Sequence, residues 1–83
     1  MSVRIDVTQA DIDHGRKRDD SKCPIALALT RMGYEDVSVG SYIVWTKNDI
    51  LRHILRRPTP PDASKFIHDF DNDRKVKPFS FWM

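Results

Sequence analysis

The sequence predicts a single α+β domain over residues 1–83, a small, mostly antiparallel sheet packed against two main helices. Three observations carry this. The chain has 83 residues, 40% hydrophobic and 31% charged, which is ordinary for one globular core and too apolar for disorder. Period-two stretches of β-branched residues lie at the N-terminus and in the middle. Two segments with helical spacing each begin at a proline, "PIALALTRMG" and "PDASKFIHDFD".

The elements follow in order. In "VRIDV" (3–7), Val3, Ile5 and Val7 alternate with Arg4 and Asp6, the pattern of a half-buried strand. Thr8 is placed to cap a short helix, "QADIDHG", that stops at Gly15. "RKRDDSK" (16–22) is a polar loop. Pro24 opens a helix over 24–32 whose Ile25, Leu27, Leu29 and Met32 call for burial on most sides, with Gly33 as its stop. "DVSVGSYIVWT" (36–46) reads as strands on either side of a turn or bulge at Gly40–Ser41.

Segment 50–57, "ILRHILRR", fits a helix with Ile50, Leu51, Ile54 and Leu55 on one face. It also fits the second arm of a hairpin turning at Asn48–Asp49. The need of the preceding β-rich segment for a partner favours strand. "PTPP" (58–61) is a rigid linker that ends any regular element. A helix over 61–71 turns Phe66, Ile67 and Phe70 inward and ends at Asn72, and "VKPFSFW" (76–82) offers Val76, Phe79 and Phe81 to the core. Pro78 points to an edge strand or one that starts late, and the C-terminal strand is expected to pair near the N-terminal one.

Composition narrows function. A formal charge of +2 and a pI of about 8.9 are weakly basic, short of the excess typical of a nonspecific nucleic-acid binder. One cysteine rules out an internal disulfide, "MSVRIDV" lacks the apolar segment of a signal peptide, and nothing approaches a membrane span. A cytoplasmic chain with no membrane association is expected.

Catalytic patterns are not found. Ser21, Ser38, Ser41, Ser64 and Ser80 sit in no nucleophile elbow. Cys23, His14, His53 and His68 lack zinc-ligand spacing. "DFDND" (69–73) begins like a calcium loop, but Arg74 replaces the required glycine and Ser80 the glutamate. No enzyme, metal or cofactor is expected.

Two stretches are candidates for binding. Lys47, Arg52, Arg56 and Arg57, with His53, form the densest positive patch, and Trp45 is near enough in sequence to add stacking. Arg16, Lys17 and Arg18 form a second. Between them in character is the start of the 24–32 helix, where Lys22 and Cys23 meet free N–H groups. The helix dipole there favours an anion, or a thiolate of lowered pKa; the simpler reading of Cys23 is a buried cap.

The pieces "DIDHG", "CPIALAL" and "FIHDFDNDRKVKPFSF" resemble a family of small, mostly uncharacterised bacteriophage and prophage proteins. The resemblance covers both ends of the chain and little of the middle, and "GRKRDDSKC" (15–23) matches no feature of it. It implies a compact α+β domain in a phage or mobile-element setting, with no catalytic residues to carry over. The function expected is that of an accessory protein acting by binding, as a steric inhibitor of a host protein or nucleoprotein such as a defence component. The alternatives are nucleic-acid binding through the patch around Arg52–Arg57 and capture of an anionic nucleotide at the helix start.

Overall fold

The alternation in "RIDV" belongs to a strand with one wet face, and the chain uses it so. In the computed structural model, which describes residues 3–46 and 53–83, Arg4–Val7 is strand β1, with Ile5 and Val7 buried. Its antiparallel partner is β5 (Phe79–Trp82), in the register Ile5↔Phe81 and Val7↔Phe79. Val3 and Met83 extend the pairing by exchanging backbone hydrogen bonds of 2.9 Å. On the wet face Arg4 meets Asp6 at 2.9 Å, and the Ser80 hydroxyl donates to the same carboxylate. Val3, expected inside, is 38% exposed, because it lies beyond the covered part of the sheet.

Helix α1 (Gln9–His14) begins with a reciprocal capping box. The Thr8 hydroxyl accepts from Asp11 N–H, and Asp11 accepts from Thr8 N–H. Asp11 is buried, and Arg31 donates to its carboxylate at 2.8 Å and to the Asp6 carbonyl at 3.0 Å. One guanidinium thus ties α1, the end of β1 and the last turn of α2 (Pro24–Arg31). Gly15 ends α1 as expected, but in extended backbone (φ −67°, ψ 150°) rather than a left-handed cap. Its role is space. A Cβ there would lie 2.7 Å from Pro24 Cδ and Cγ, so glycine lets the end of α1 abut the start of α2.

Helix α2 is the inner layer. Pro24, Ile25, Ala26, Ala28 and Leu29 are buried, covering just over half its circumference. Met32, just past its last turn, is 41% exposed, so burial is less complete than the apolar composition suggests. Gly33 (φ 99°) closes a Schellman end, with Tyr34 N–H donating to Leu29 O and Gly33 N–H to Thr30 O.

The remaining strands form a second sheet rather than joining the first. The order is β2 (Glu35–Val39), β3 (Tyr42–Thr46), β4 (Ile54–Pro58), all antiparallel. Gly40–Ser41 is the turn, the first of the two alternatives the sequence offers there, and a register shift between Glu35 and Ser38 accompanies the left-handed backbone of Asp36 (φ 50°). The strand alternative for 50–57 holds for 54–57. Pro58, expected in a linker, is the last residue of β4, which an edge strand tolerates. Asn48–Asp49, Ile50 and Leu51 lie outside the described residues.

Helix α3 (Pro61–Asp71) buries Ala63, Phe66 and Phe70. An aromatic ladder carries it onto β5: Phe70 to Phe66 at 6.4 Å, Phe66 to Phe79 at 4.6 Å and Phe79 to Phe81 at 5.7 Å between ring centres. Asn72 caps the helix, and Asp73 (φ 62°) supplies the left-handed residue that Gly33 supplies in α2. One core cluster links both sheets and all the helices, and no helix among the described residues is long and apolar enough to cross a membrane.

Two outcomes test this framework. Burial alone would raise the Asp11 pKa, but Arg31 and both Thr8 donors outweigh it and hold the carboxyl below its ordinary value. Its contribution is therefore full above the unfolded pKa of about 3.9 and is lost as pH falls through the lower folded value. Asp11→Ala is expected to cost about 2 kcal/mol at neutral pH, read from urea unfolding, and to flatten the acid limb of the stability curve. Gly15→Ala, forced against Pro24, is expected to cost about 1–3 kcal/mol and lower the Tm.

Candidate interaction surface

The polar loop 16–22 is built from its own carboxylates. Asp19 accepts at its side chain from Ser21 N–H (3.0 Å) and Lys22 N–H (3.1 Å), and at its carbonyl from Cys23 N–H (2.9 Å). Arg16 N–H donates to Lys22 O at 2.8 Å, closing the loop. Three tethers hold it to the rest of the chain. The Lys17 ammonium pairs with Asp73. The N–H of Arg18, itself left-handed (φ 57°), donates to Asp71 at 2.9 Å. The carbonyl of Asp20 accepts Val39 N–H at 3.0 Å, covering the outer edge of β2. The loop therefore sits against the acidic end of α3, which answers the charge of Lys17 and takes the backbone N–H of Arg18.

The start of α2 is filled by the chain itself. Cys23 is 3% exposed, and its Sγ accepts from Ala26 N–H at 3.4 Å. Burial pushes the thiol pKa up, and the N–H groups of Ala26 and Ile25 do not offset it. The dipole argument for a reactive thiol thus loses to desolvation. The same burial bears against the anion reading of Lys22–Cys23. Pro24, Ile25 and Ala26 are buried and Gly15 packs on Pro24, leaving no open helix start for a ligand. Lys22 points to solvent beside the loop.

The other basic patch is differently placed. Every residue of β4 is exposed. Ile54, at 75%, is the most exposed large hydrophobic side chain among the described residues. Strand register assigns the faces. Ile54, Arg56 and Pro58 share the outer face with Thr46, Val44 and Tyr42, while Leu55 and Arg57 share the inner one with Trp45 and the buried Ile43. The Arg56 guanidinium lies over the Tyr42 ring, 5.3 Å from its centre. Among the described residues neither Arg56 nor Arg57 pairs with a carboxylate. Lys47 and Arg52 lie outside the described residues. Trp45 does not offer a stacking platform, since it is half-buried edge-on against Tyr34 at 5.5 Å and 67°.

Loop 16–22 borders β2 and the arginines border the far side of β3, so the two basic clusters do not merge. Sequence reading missed Tyr42 and the exposure of Ile54. The signal for both is register, because Tyr42 comes under Arg56 only once the β3–β4 pairing is known. A shallow depression of about 290 Å³ lies between α3 and the segment leading into β5, with Phe66 and Phe79 of the aromatic ladder in its wall. No group of three or more potential metal ligands occurs among the described residues. Comparison with protein-family models, with curated proteins and with solved structures finds no match to this chain.

Burial of Cys23 makes a direct prediction. The native thiol is expected to resist a thiol-specific reagent at neutral pH and to react at the rate of a free cysteine once urea unfolds the chain. Fast native labelling would show that the helix start opens.

Proposed function

We propose that this chain works by binding rather than catalysis, as a phage-type accessory protein that covers a surface of a host protein or nucleoprotein, a defence component among the candidates. The observation that carries this is β4, exposed along its whole length, with Ile54 and Leu55 beside two arginines that no carboxylate answers among the described residues. An apolar side chain and unmatched cations on one exposed strand are suited to recognition: burial of Ile54 would supply affinity, and the arginines would steer an acidic partner. The mechanism is steric. Loop 16–22 and the aromatic ladder brace the domain, so it can occlude a surface with little loss of its own freedom.

The Arg56–Tyr42 pair also supports a second reading, in which the arginines hold phosphates and the ring contacts a base. One experiment separates the two. Immobilised protein and its folded Arg56→Glu/Arg57→Glu variant are exposed to host lysate with and without nuclease, and DNA and RNA affinities are titrated with salt. A protein retained by the parent chain after nuclease treatment and lost by the variant is the expected result. Equal retention by both would remove β4 as the surface. Retention that vanishes with nuclease, with affinity falling steeply in salt, would assign the patch to nucleic acid.

A further inference from the structure

An edge strand has unpaired main-chain groups, and the chain treats its edges unequally. The outer edge of β2 is engaged by loop 16–22 through Val39 N–H. At β1, Arg31 occupies the carbonyl of Asp6. Among the described residues no such contact reaches the outer edge of β4 or of β5, and β4 is the strand whose side chains are exposed throughout.

The ladder shows which groups of β4 face outward. Thr59 N–H donates to Ser41 O at 3.1 Å, one step beyond the Tyr42↔Pro58 pair in the same register. Ser41↔Thr59 is thus a hydrogen-bonded pair, and alternation makes Ile43↔Arg57 and Trp45↔Leu55 hydrogen-bonded too. The main-chain groups of Ile54, Arg56 and Pro58 then point away from β3. Pro58 has no N–H, so it blunts one end of the edge, while Ile54 and Arg56 each present a donor and an acceptor.

We propose that β4 is a docking edge for an acidic, extended segment of a partner protein, which adds to the β2–β3–β4 sheet as a fourth strand and pairs its main chain with Ile54 and Arg56. This rests on the binding function proposed above and names its mode. Charge selects the occupant. A second copy pairing antiparallel about Arg56 would set arginine against arginine, which is repulsive. An acidic strand is complementary. Arg56 and Arg57 point to opposite faces of the sheet, so neighbouring Asp or Glu residues on the incoming strand meet one each. Ile54, on the same face as Arg56, takes an apolar side chain two residues away from the first acid. Main-chain pairing supplies affinity and these side chains supply selectivity.

The probe is a synthetic peptide of alternating Val and Thr with consecutive Glu residues at its centre, compared with its Lys-for-Glu counterpart and a single-stranded oligonucleotide. Binding is measured by calorimetry and by amide hydrogen exchange. The Glu peptide is expected to bind in roughly the micromolar range and slow exchange at Ile54 and Arg56 by about tenfold or more. Ile54→Pro removes an outward N–H without touching the β3 ladder, and is expected to weaken binding about tenfold relative to Ile54→Ala. Retained protection of the Leu55 and Arg57 amides verifies that the variant is folded. Arg56→Glu is expected to abolish preference for the Glu peptide.

Several results would overturn the proposal. Peptide binding without protection at Ile54 and Arg56 removes strand addition but leaves β4 as a side-chain surface. Equal binding of the Lys peptide removes the acidic occupant. Binding of the oligonucleotide alone, at these residues, gives the edge to nucleic acid. Absence of peptide binding while lysate capture still depends on Arg56 and Arg57 refutes this mode alone; absence of both refutes the binding function as well.

Discussion

Two sheets depend on one helix of eight residues. Helix α2 must serve as the inner surface for β1 on one side and β2 on another, and also receive α1. A helix this short can do so only if neighbouring backbones come close, which is what Ala26 and Ala28 allow, both with no exposed surface. Gly15 against Pro24 applies the same principle where α1 ends. Larger side chains at these places would push one sheet away, so the position of β4 relative to the rest of the domain derives from small residues far from it.

Charge is organised around this packing. A near balance of 14 basic and 12 acidic residues suggests an undistinguished surface. Its distribution is more informative. Asp11 and Arg31 join three elements at the top of α2, and Asp71 and Asp73 hold the loop that carries Arg16, Lys17 and Arg18. Carboxylates are thus used where the fold needs fastening. Among the described residues none pairs with the arginines of β4, and a small net excess becomes a local one on an exposed strand.

Much of the local structure was legible because it is set by neighbours in sequence. The alternation of Ile5 and Val7, the Thr8 cap, Pro24 at a first helical turn, Gly33 at a helix end and the late start of β5 after Pro78 all follow from backbone chemistry within a few residues. What was not legible depends on partners far apart. Nothing local divides the strands into two sheets; that follows from pairing Arg4–Val7 with Phe79–Trp82. The placing of Pro58 inside β4 turns on which way its missing N–H would have pointed. Cys23 shows two local effects in competition, the helix dipole and burial, and only packing decides between them. At the candidate site the arginines were visible as a cluster, whereas Tyr42 beneath Arg56 and the exposure of Ile54 required the register of a hairpin.

The pairing of β1 with β5 also sets an order in time. β1 precedes every other strand described and β5 follows them, so Ile5 and Val7 lack Phe79 and Phe81 until all the intervening elements have been made. These sequence-distant contacts are also among the most buried of the described residues, and loop closure over every intervening element must precede their reward. Until then the apolar face of β1 lacks its partner strand, while the β2–β3–β4 meander, whose pairings are local, is free to assemble ahead of it.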